Sequence, residues 1–126
     1  MTSRIFVIED NELIRQSLIE FLCDLLPARI VGWADTEEEA VLWLHNHRGE
    51  WDLAIVDLFL LHGNGLGVLE HCQDARRPGQ KMVVLSNYPT PQIRERCLAA
   101  GADAVFDKSR ELEEFSQYTL EEVASG

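Results

Sequence analysis

The chain has 126 residues, 46% of them hydrophobic and 26% charged with only four prolines, which is enough for one packed core and excludes a disordered or collagen-like chain. A net charge of -11 argues against direct nucleic-acid binding, which depends on lysine and arginine neutralising phosphates, and the acidic excess is read instead as a solvated surface plus a cluster that holds a cation. The four apolar residues before Glu9 are too few for a signal peptide, no apolar run approaches the roughly 20 residues of a membrane span, and a single domain over 1–126 in the cytoplasm is the expectation.

In chain order, Ile5 to Ile8 is a short β-rich apolar run, followed by Ile14, Leu18, Phe21, Leu22 and Leu25 at helical spacing, with Pro27 where that helix must stop. Ile30 to Ala34 is a more mixed strand. Thr36 and Glu39 stand at capping-box spacing before a helix that turns Ala40, Val41 and Leu44 inward. Leu53 to Val56 is a second fully apolar strand, and Leu66, Leu69 and Cys72 suggest a third helix, closed by the turn at Arg77-Pro78-Gly79. Met82 to Leu85 is the third apolar strand. Pro91, Ile93, Cys97 and Ala100 form a fourth helix with Gly101 as its C-terminal cap. Ala104 to Phe106 is a short strand, and Leu112, Phe115 and Tyr118 begin a fifth, acidic helix.

Five alternations of strand and helix imply an α/β fold with a doubly wound parallel sheet. A flavodoxin-like (βα)5 order, 2-1-3-4-5, sets the three most apolar strands in the centre and the mixed second and short fifth strands at the edges. Three cysteines, Cys23, Cys72 and Cys97, are odd in number and widely spaced, so they are read as free buried thiols. Trp33, Trp43 and Trp51 are expected to cover one sheet face around the second helix. His45, His47 and His62 are read as surface or partly packed residues, and the acidic last helix as a solvated face.

Ligands of such a sheet sit beyond the carboxyl ends of its strands, at the switch point between strands one and three. Those ends carry Glu9-Asp10, Asp57, Ser86 and Asp107-Lys108. One aspartate at a strand end is ordinarily a cap or turn residue. Several carboxylates brought together repel, and they persist where protonation or a cation relieves them; hard oxygen ligands without histidine or cysteine favour Mg²⁺. Lys108 suits a phosphate oxygen and Ser86 offers a hydroxyl donor, so the constellation reads as a phosphoryl site with the central carboxylate, Asp57, as nucleophile.

Val7-Ile8-Glu9-Asp10-Asn11, Ala54-Ile55-Val56-Asp57-Leu58, Gly65, Val83-Val84-Leu85-Ser86 and Gly101-Ala102-Asp103 leading to Asp107-Lys108 together resemble the receiver domain of bacterial response regulators, from about Arg4 to Leu120. The resemblance implies that Asp57 is the phosphoacceptor, with Glu9 and Asp10 forming the acidic pocket. Asp10 and Asp57 would hold Mg²⁺ with the backbone carbonyl of Phe59, while Ser86 and Lys108 would contact the phosphoryl group. It also implies a histidine kinase or histidine phosphotransfer protein as donor. The domain would be a self-modifying switch rather than a turnover enzyme, presenting a changed surface on its fourth and fifth helices to a downstream target, to an output domain of a longer regulator, or to a second copy in a phosphorylation-linked homodimer.

Four features depart from the usual pattern. Ser109 follows Lys108, and Leu61 follows the phosphoacceptor, at positions where proline is common. Val105 stands at the usual aromatic switch position, with Phe106 expected on the opposite strand face. Phe59 and Tyr88 add bulk beside the site and are expected to shield an acyl phosphate from water. The missing aromatic switch keeps open a phosphate-independent interaction module. A haloacid-dehalogenase-like phosphatase would need D-x-D after the first strand, and a flavodoxin-type flavin carrier a Ser/Thr/Gly-rich first loop, where this chain has Glu9-Asp10-Asn11-Glu12.

Overall fold

The computed structural model describes residues 2–87 and 89–124. Five parallel strands, β1 (Ser3–Ile8), β2 (Ala28–Ala34), β3 (Leu53–Asp57), β4 (Lys81–Ser86) and β5 (Ala104–Asp107), form one sheet in the order β2-β1-β3-β4-β5. Five helices connect and follow them: α1 (Glu12–Leu25), α2 (Glu37–Asn46), α3 (Gly65–His71), α4 (Pro91–Ala99) and α5 (Leu112–Tyr118). A 3-10 turn, Gln73–Ala75, extends α3, and a π-helical segment, Thr119–Ala124, continues α5. The flavodoxin-like fold and its strand order are as the apolar pattern predicts.

Helix starts follow local chemistry. Asn11 accepts from Ile14 N at 3.0 Å, Thr36 from Glu39 N at 3.1 Å, Asn64 from Gly67 N at 2.8 Å and Thr90 from Ile93 N at 3.2 Å, each satisfying an amide the helix leaves open. The end of α4 is equally specified: Gly101 takes φ 117°, Gly101 N donates to Leu98 O and Ala102 N to Cys97 O, the pair of bonds that closes a helix through a left-handed residue.

Alternation along the strands splits the core in two. Phe6, Ile8, Ala54, Val56, Val84 and Val105 pack with Leu44, Trp51, Leu69 and Cys97 on the side covered by α2, α3 and α4. Ile5, Val7, Leu53, Ile55, Val83 and Leu85 pack with Leu22, Leu26 and Phe115 on the side of α1 and α5. Truncating one of the leucines, isoleucines or buried aromatic residues among them to alanine would cost about 2 to 5 kcal/mol. Val105 and Phe106 fall in opposite clusters, as the period of two requires.

Three expectations change. Strand β2 begins at Ala28 because it pairs with Ser3 of β1, and a register shift after Ile5 carries the pairing from Ile30 to Gly32. Trp43 stacks on Phe6 with ring centroids 4.0 Å apart and Trp51 is buried on that side, but Trp33 pairs in register with Val7 and therefore lies on the α1 side, against Arg15. Cys72 and Cys97 are buried thiols, whereas Cys23 is exposed on α1.

Candidate functional site

The carboxyl edge of the sheet gathers the charged residues. Past the end of β1, Glu9 is fixed by its amide, which donates to Ala34 O at 3.0 Å, and by its Oε2, which accepts from Asn11 N at 3.2 Å. Asp10 lies next in chain, and its Oδ2 accepts from Leu61 N at 2.6 Å, tying the β3–α3 loop across the switch point. Asp57 is the last residue of β3, buried, with Phe59 N donating to its Oδ1 at 3.4 Å.

Carboxylate oxygens of Glu9, Asp10 and Asp57 lie within 4.8 Å of one another, the one such group of potential metal ligands among the described residues. Lys108 Nζ answers part of this charge, donating to Glu9 Oε1 at 2.7 Å and standing 3.5 Å from Asp57 Oδ1. The balance leaves Asp57 uncomfortable. Burial, the largest influence, raises its pKa; the Lys108 ammonium and the Phe59 amide pull it down, neighbouring Glu9 pushes it up, and the carboxyl ends at about 7.

Ser86, the last residue of β4, is fully buried, and its hydroxyl has no hydrogen-bond partner among the described residues. An unpaired buried hydroxyl costs about 1 to 3 kcal/mol unless something is brought to it. Main-chain pairing sets Lys108 beside it, since Lys108 N donates to Ser86 O at 2.9 Å. An all-oxygen acidic cluster, a carboxyl with a strongly raised pKa and an unsatisfied hydroxyl together fit a hard divalent cation and an oxyanion.

Every residue assigned to the phosphoryl site from sequence thus lies at one edge: Glu9, Asp10, Asp57, Ser86 and Lys108, with Phe59 beside them. Asp107 is elsewhere engaged, its Oδ1 accepting from Ser109 N at 2.7 Å and Arg110 N at 3.2 Å in the turn into α5. Gly65 is required by proximity, because a Cβ there would sit 2.4 Å from the Asp57 carbonyl oxygen. Val105 is buried under α4, and its carbonyl accepts from Arg94 Nη1 at 3.0 Å. Arg94 also pairs with Glu111, whose carboxyl it holds below the usual range, clasping α4 to the start of α5. Phe59 is 63% exposed beside an apolar cleft of about 410 Å³ that it shares with Leu58, Leu66, Ile93 and Cys97. Its anticipated partner in shielding, Tyr88, lies outside the described residues.

Arg15 and the Leu61 amide are site residues beyond those expected from the sequence. Arg15 had a signal: it stands on the stripe Arg15, Leu18, Leu22 and Leu25, where a polar residue must find a buried partner. The Leu61 contact, a main-chain donor meeting a residue 51 positions away, has none.

The family model of the response regulator receiver domain matches residues 5–119. The chain belongs to that family. It is thus a receiver domain of two-component signalling. Over 101 residues this receiver is 29% identical to the DNA-binding transcriptional activator DevR/DosR of Mycobacterium tuberculosis, an alignment covering 79% of the chain and 44% of that protein. The chain therefore matches less than half the length of that relative. Among solved structures it resembles a LuxR-family two-component response regulator from Aurantimonas sp. SI85-9A1, with TM-score 0.86 and 18% identity over 99% of this chain and 87% of that one. It also resembles a response regulator from Burkholderia pseudomallei that carries a phosphorylated aspartic acid, a calcium ion and citrate, with TM-score 0.73 and 24% identity over 90% of this chain and 64% of that one. At these identities the two structures speak for the fold. No helix among the described residues is long and apolar enough to cross a membrane.

Proposed function

We propose that this receiver is a phosphoryl-accepting switch in which Asp57 takes a phosphoryl group from a phosphohistidine on a histidine kinase or histidine phosphotransfer protein. The observation that carries the proposal is the buried Asp57 carboxylate at the centre of an acidic cluster, 3.5 Å from Lys108, with its pKa raised to about 7. The phosphorylated aspartate and divalent ion of the similar Burkholderia protein lend support.

In the reaction one Asp57 oxygen forms a bond to phosphorus as the bond from phosphorus to the donor imidazole nitrogen breaks; that nitrogen leaves with the electron pair and regains a proton from solvent. Lys108 exchanges its contact with Glu9 for a phosphoryl oxygen, and the unpartnered Ser86 hydroxyl donates to another. Mg²⁺, held by Asp10, Asp57 and Glu9 with the main-chain carbonyl of Phe59, would supply positive charge against the remaining phosphoryl oxygens. Hydrolysis later returns the carboxylate, so the domain acts on itself rather than turning over external substrates.

Because Lys108 and Ser86 stand at the ends of β5 and β4, their shift toward the phosphoryl group would move the loops into α4 and α5 and load the Arg94–Glu111 clasp. The changed α4–α5 surface would then meet a downstream protein, an attached output domain, or a second copy. The acidic surface argues against contacting DNA with this domain itself. One feature favours a second reading, a phosphate-independent interaction module: Val105 offers no ring to rotate.

Intact-protein mass after incubation with acetyl phosphate and Mg²⁺ separates the two. A Mg²⁺-dependent gain of one phosphoryl group, absent in Asp57→Asn, is expected; no gain in the unaltered protein would overturn the switch in favour of the interaction module.

A further inference from the structure

Arg15 is a buried cation, 8% exposed, that no carboxylate reaches within ion-pair distance among the described residues. Burying a guanidinium without a counter-charge is unfavourable, so its two contacts need a reason. Its carbon lies 3.9 Å from the centroid of the Trp33 ring, and Nη1 donates to the main-chain oxygen of Glu9 at 2.8 Å. Trp33, the penultimate residue of β2, is 52% exposed, a large apolar surface left at a strand end.

The two contacts converge on the turn that delivers the acidic pair. The Glu9 amide is bound to β2, its carbonyl is bound by Arg15, and Asn11 caps α1, so Asp10 hangs between two anchored residues. Arg15 itself belongs to the first turn and a half of that helix, its amide donating to Asn11 O at 2.9 Å. Trp33, Arg15 and Glu9 therefore form a stack running from the solvent to the rear of the acidic cluster.

We infer that Arg15 is a positioning residue for cation binding: clamped under Trp33, it fixes the β1–α1 turn so that Glu9 and Asp10 face Asp57. The inference rests on the phosphoryl-switch reading, and it assigns Trp33 a task as the platform that holds the guanidinium flat. A planar guanidinium lies flat on a ring while its in-plane N–H groups donate, whereas an ammonium is a compact point charge with no plane to lay on the ring. Arg15→Lys therefore breaks the clamp while leaving the charge near the pocket unchanged, and Trp33→Leu removes the platform without touching any charge.

The test is a MgCl₂ titration of the whole chain followed through backbone amide shifts of residues 9–11 and 57–61, with each variant held well below its melting temperature. Outer partners of metal ligands typically set affinity by about 10- to 100-fold, and Arg15→Lys is expected at the lower end, weakening Mg²⁺ by about tenfold, with Trp33→Leu weakening it less. Phosphorylation by acetyl phosphate should fall in parallel at limiting Mg²⁺ and recover at saturation, as a loss of positioning rather than of chemistry requires. If Arg15→Lys and Trp33→Leu bind Mg²⁺ like the unaltered protein and lose only melting temperature, the clamp is structural and the inference fails. If the unaltered protein itself shows no Mg²⁺-dependent shifts, the phosphoryl-switch reading fails first and takes the inference with it.

Discussion

The two edges of the sheet use the same residue type to opposite ends. At the amino edge, Asp52 precedes β3 and accepts from Arg4 N at 2.7 Å, Arg4 Nε at 3.2 Å and Arg4 Nη2 at 3.1 Å; burial would raise its pKa, but these bonds outweigh it and hold the carboxyl low. Asp103, before β5, is bound in the same way by Met82 N at 2.7 Å and Arg76 Nη2 at 2.5 Å. At the carboxyl edge Asp57 ends β3 with one lysine at 3.5 Å and two acidic neighbours, and its pKa rises to about 7. Four residues of one strand, Leu53 to Val56, separate a carboxylate that stitches the fold from one that strains it. What distinguishes them is how many donors the chain brings and how close: three from Arg4 on Asp52, against one long amide contact and one lysine on Asp57.

The sharpest way to break this contrast is to neutralise each aspartate in turn. Asp57→Asn should abolish phosphoryl uptake and yet stabilise the cation-free protein at pH 8 by about 1 to 2 kcal/mol, or roughly 3 to 8 °C in melting temperature. The sign follows from proton binding: a folded pKa raised from 3.8 to about 7 favours the folded state fully below pH 4, and the benefit is lost as pH climbs to 7. Thermal melts of both proteins from pH 4 to 8 should therefore diverge with rising pH, and adding Mg²⁺ should narrow the gap. Parallel curves would show that Asp57 is not strained.

Asp52→Asn should do the reverse, leaving phosphoryl uptake unchanged while costing about 1 kcal/mol at pH 7, solvent screening keeping this at the low end for a charged hydrogen bond. Its depressed pKa means that this contribution is present above the ordinary carboxylate range and fades as pH falls through the folded value. Urea titration at pH 7 and pH 3 would show the difference shrinking in acid.

Ser86→Ala sharpens the comparison further, because it deletes an orphaned hydroxyl rather than a charge. Stability should stay level or gain up to about 1 kcal/mol, while phosphorylation by acetyl phosphate slows about tenfold, the worth of one hydrogen bond made only in the reaction. The smallest effect belongs to Phe59→Ser. With its ring 63% exposed, unfolding should change by no more than about 0.5 kcal/mol, and the readout is dephosphorylation, expected to quicken a few-fold if the ring keeps water from Asp57.

Much of this was legible in the residues alone. Continuous apolar runs alternating with helical stripes pointed to the strand order, with the most apolar runs at the centre, and the polar residues ending those runs pointed to Glu9, Asp10, Asp57, Ser86 and Lys108. Less visible was anything decided between distant segments. The two-residue extension of β2 depends on pairing with Ser3, and the side taken by Trp33 depends on a register shift that no local pattern marks. The division of labour between Asp52 and Asp57 was equally hidden, since it rests on where Arg4 and Lys108 reach in space.

Gly65 has a mechanical consequence. A residue with any side chain at that point would strike the Asp57 carbonyl and the Val56 side chain, so the first turn of α3 is pressed against the backbone of the phosphoacceptor with nothing between them. With Gly65 N also donating to Leu58 O at 2.9 Å, strand and helix form a rigid elbow that transmits displacement without slack. Motion at Asp57 would then be felt by α3 as a push rather than absorbed by the connecting loop.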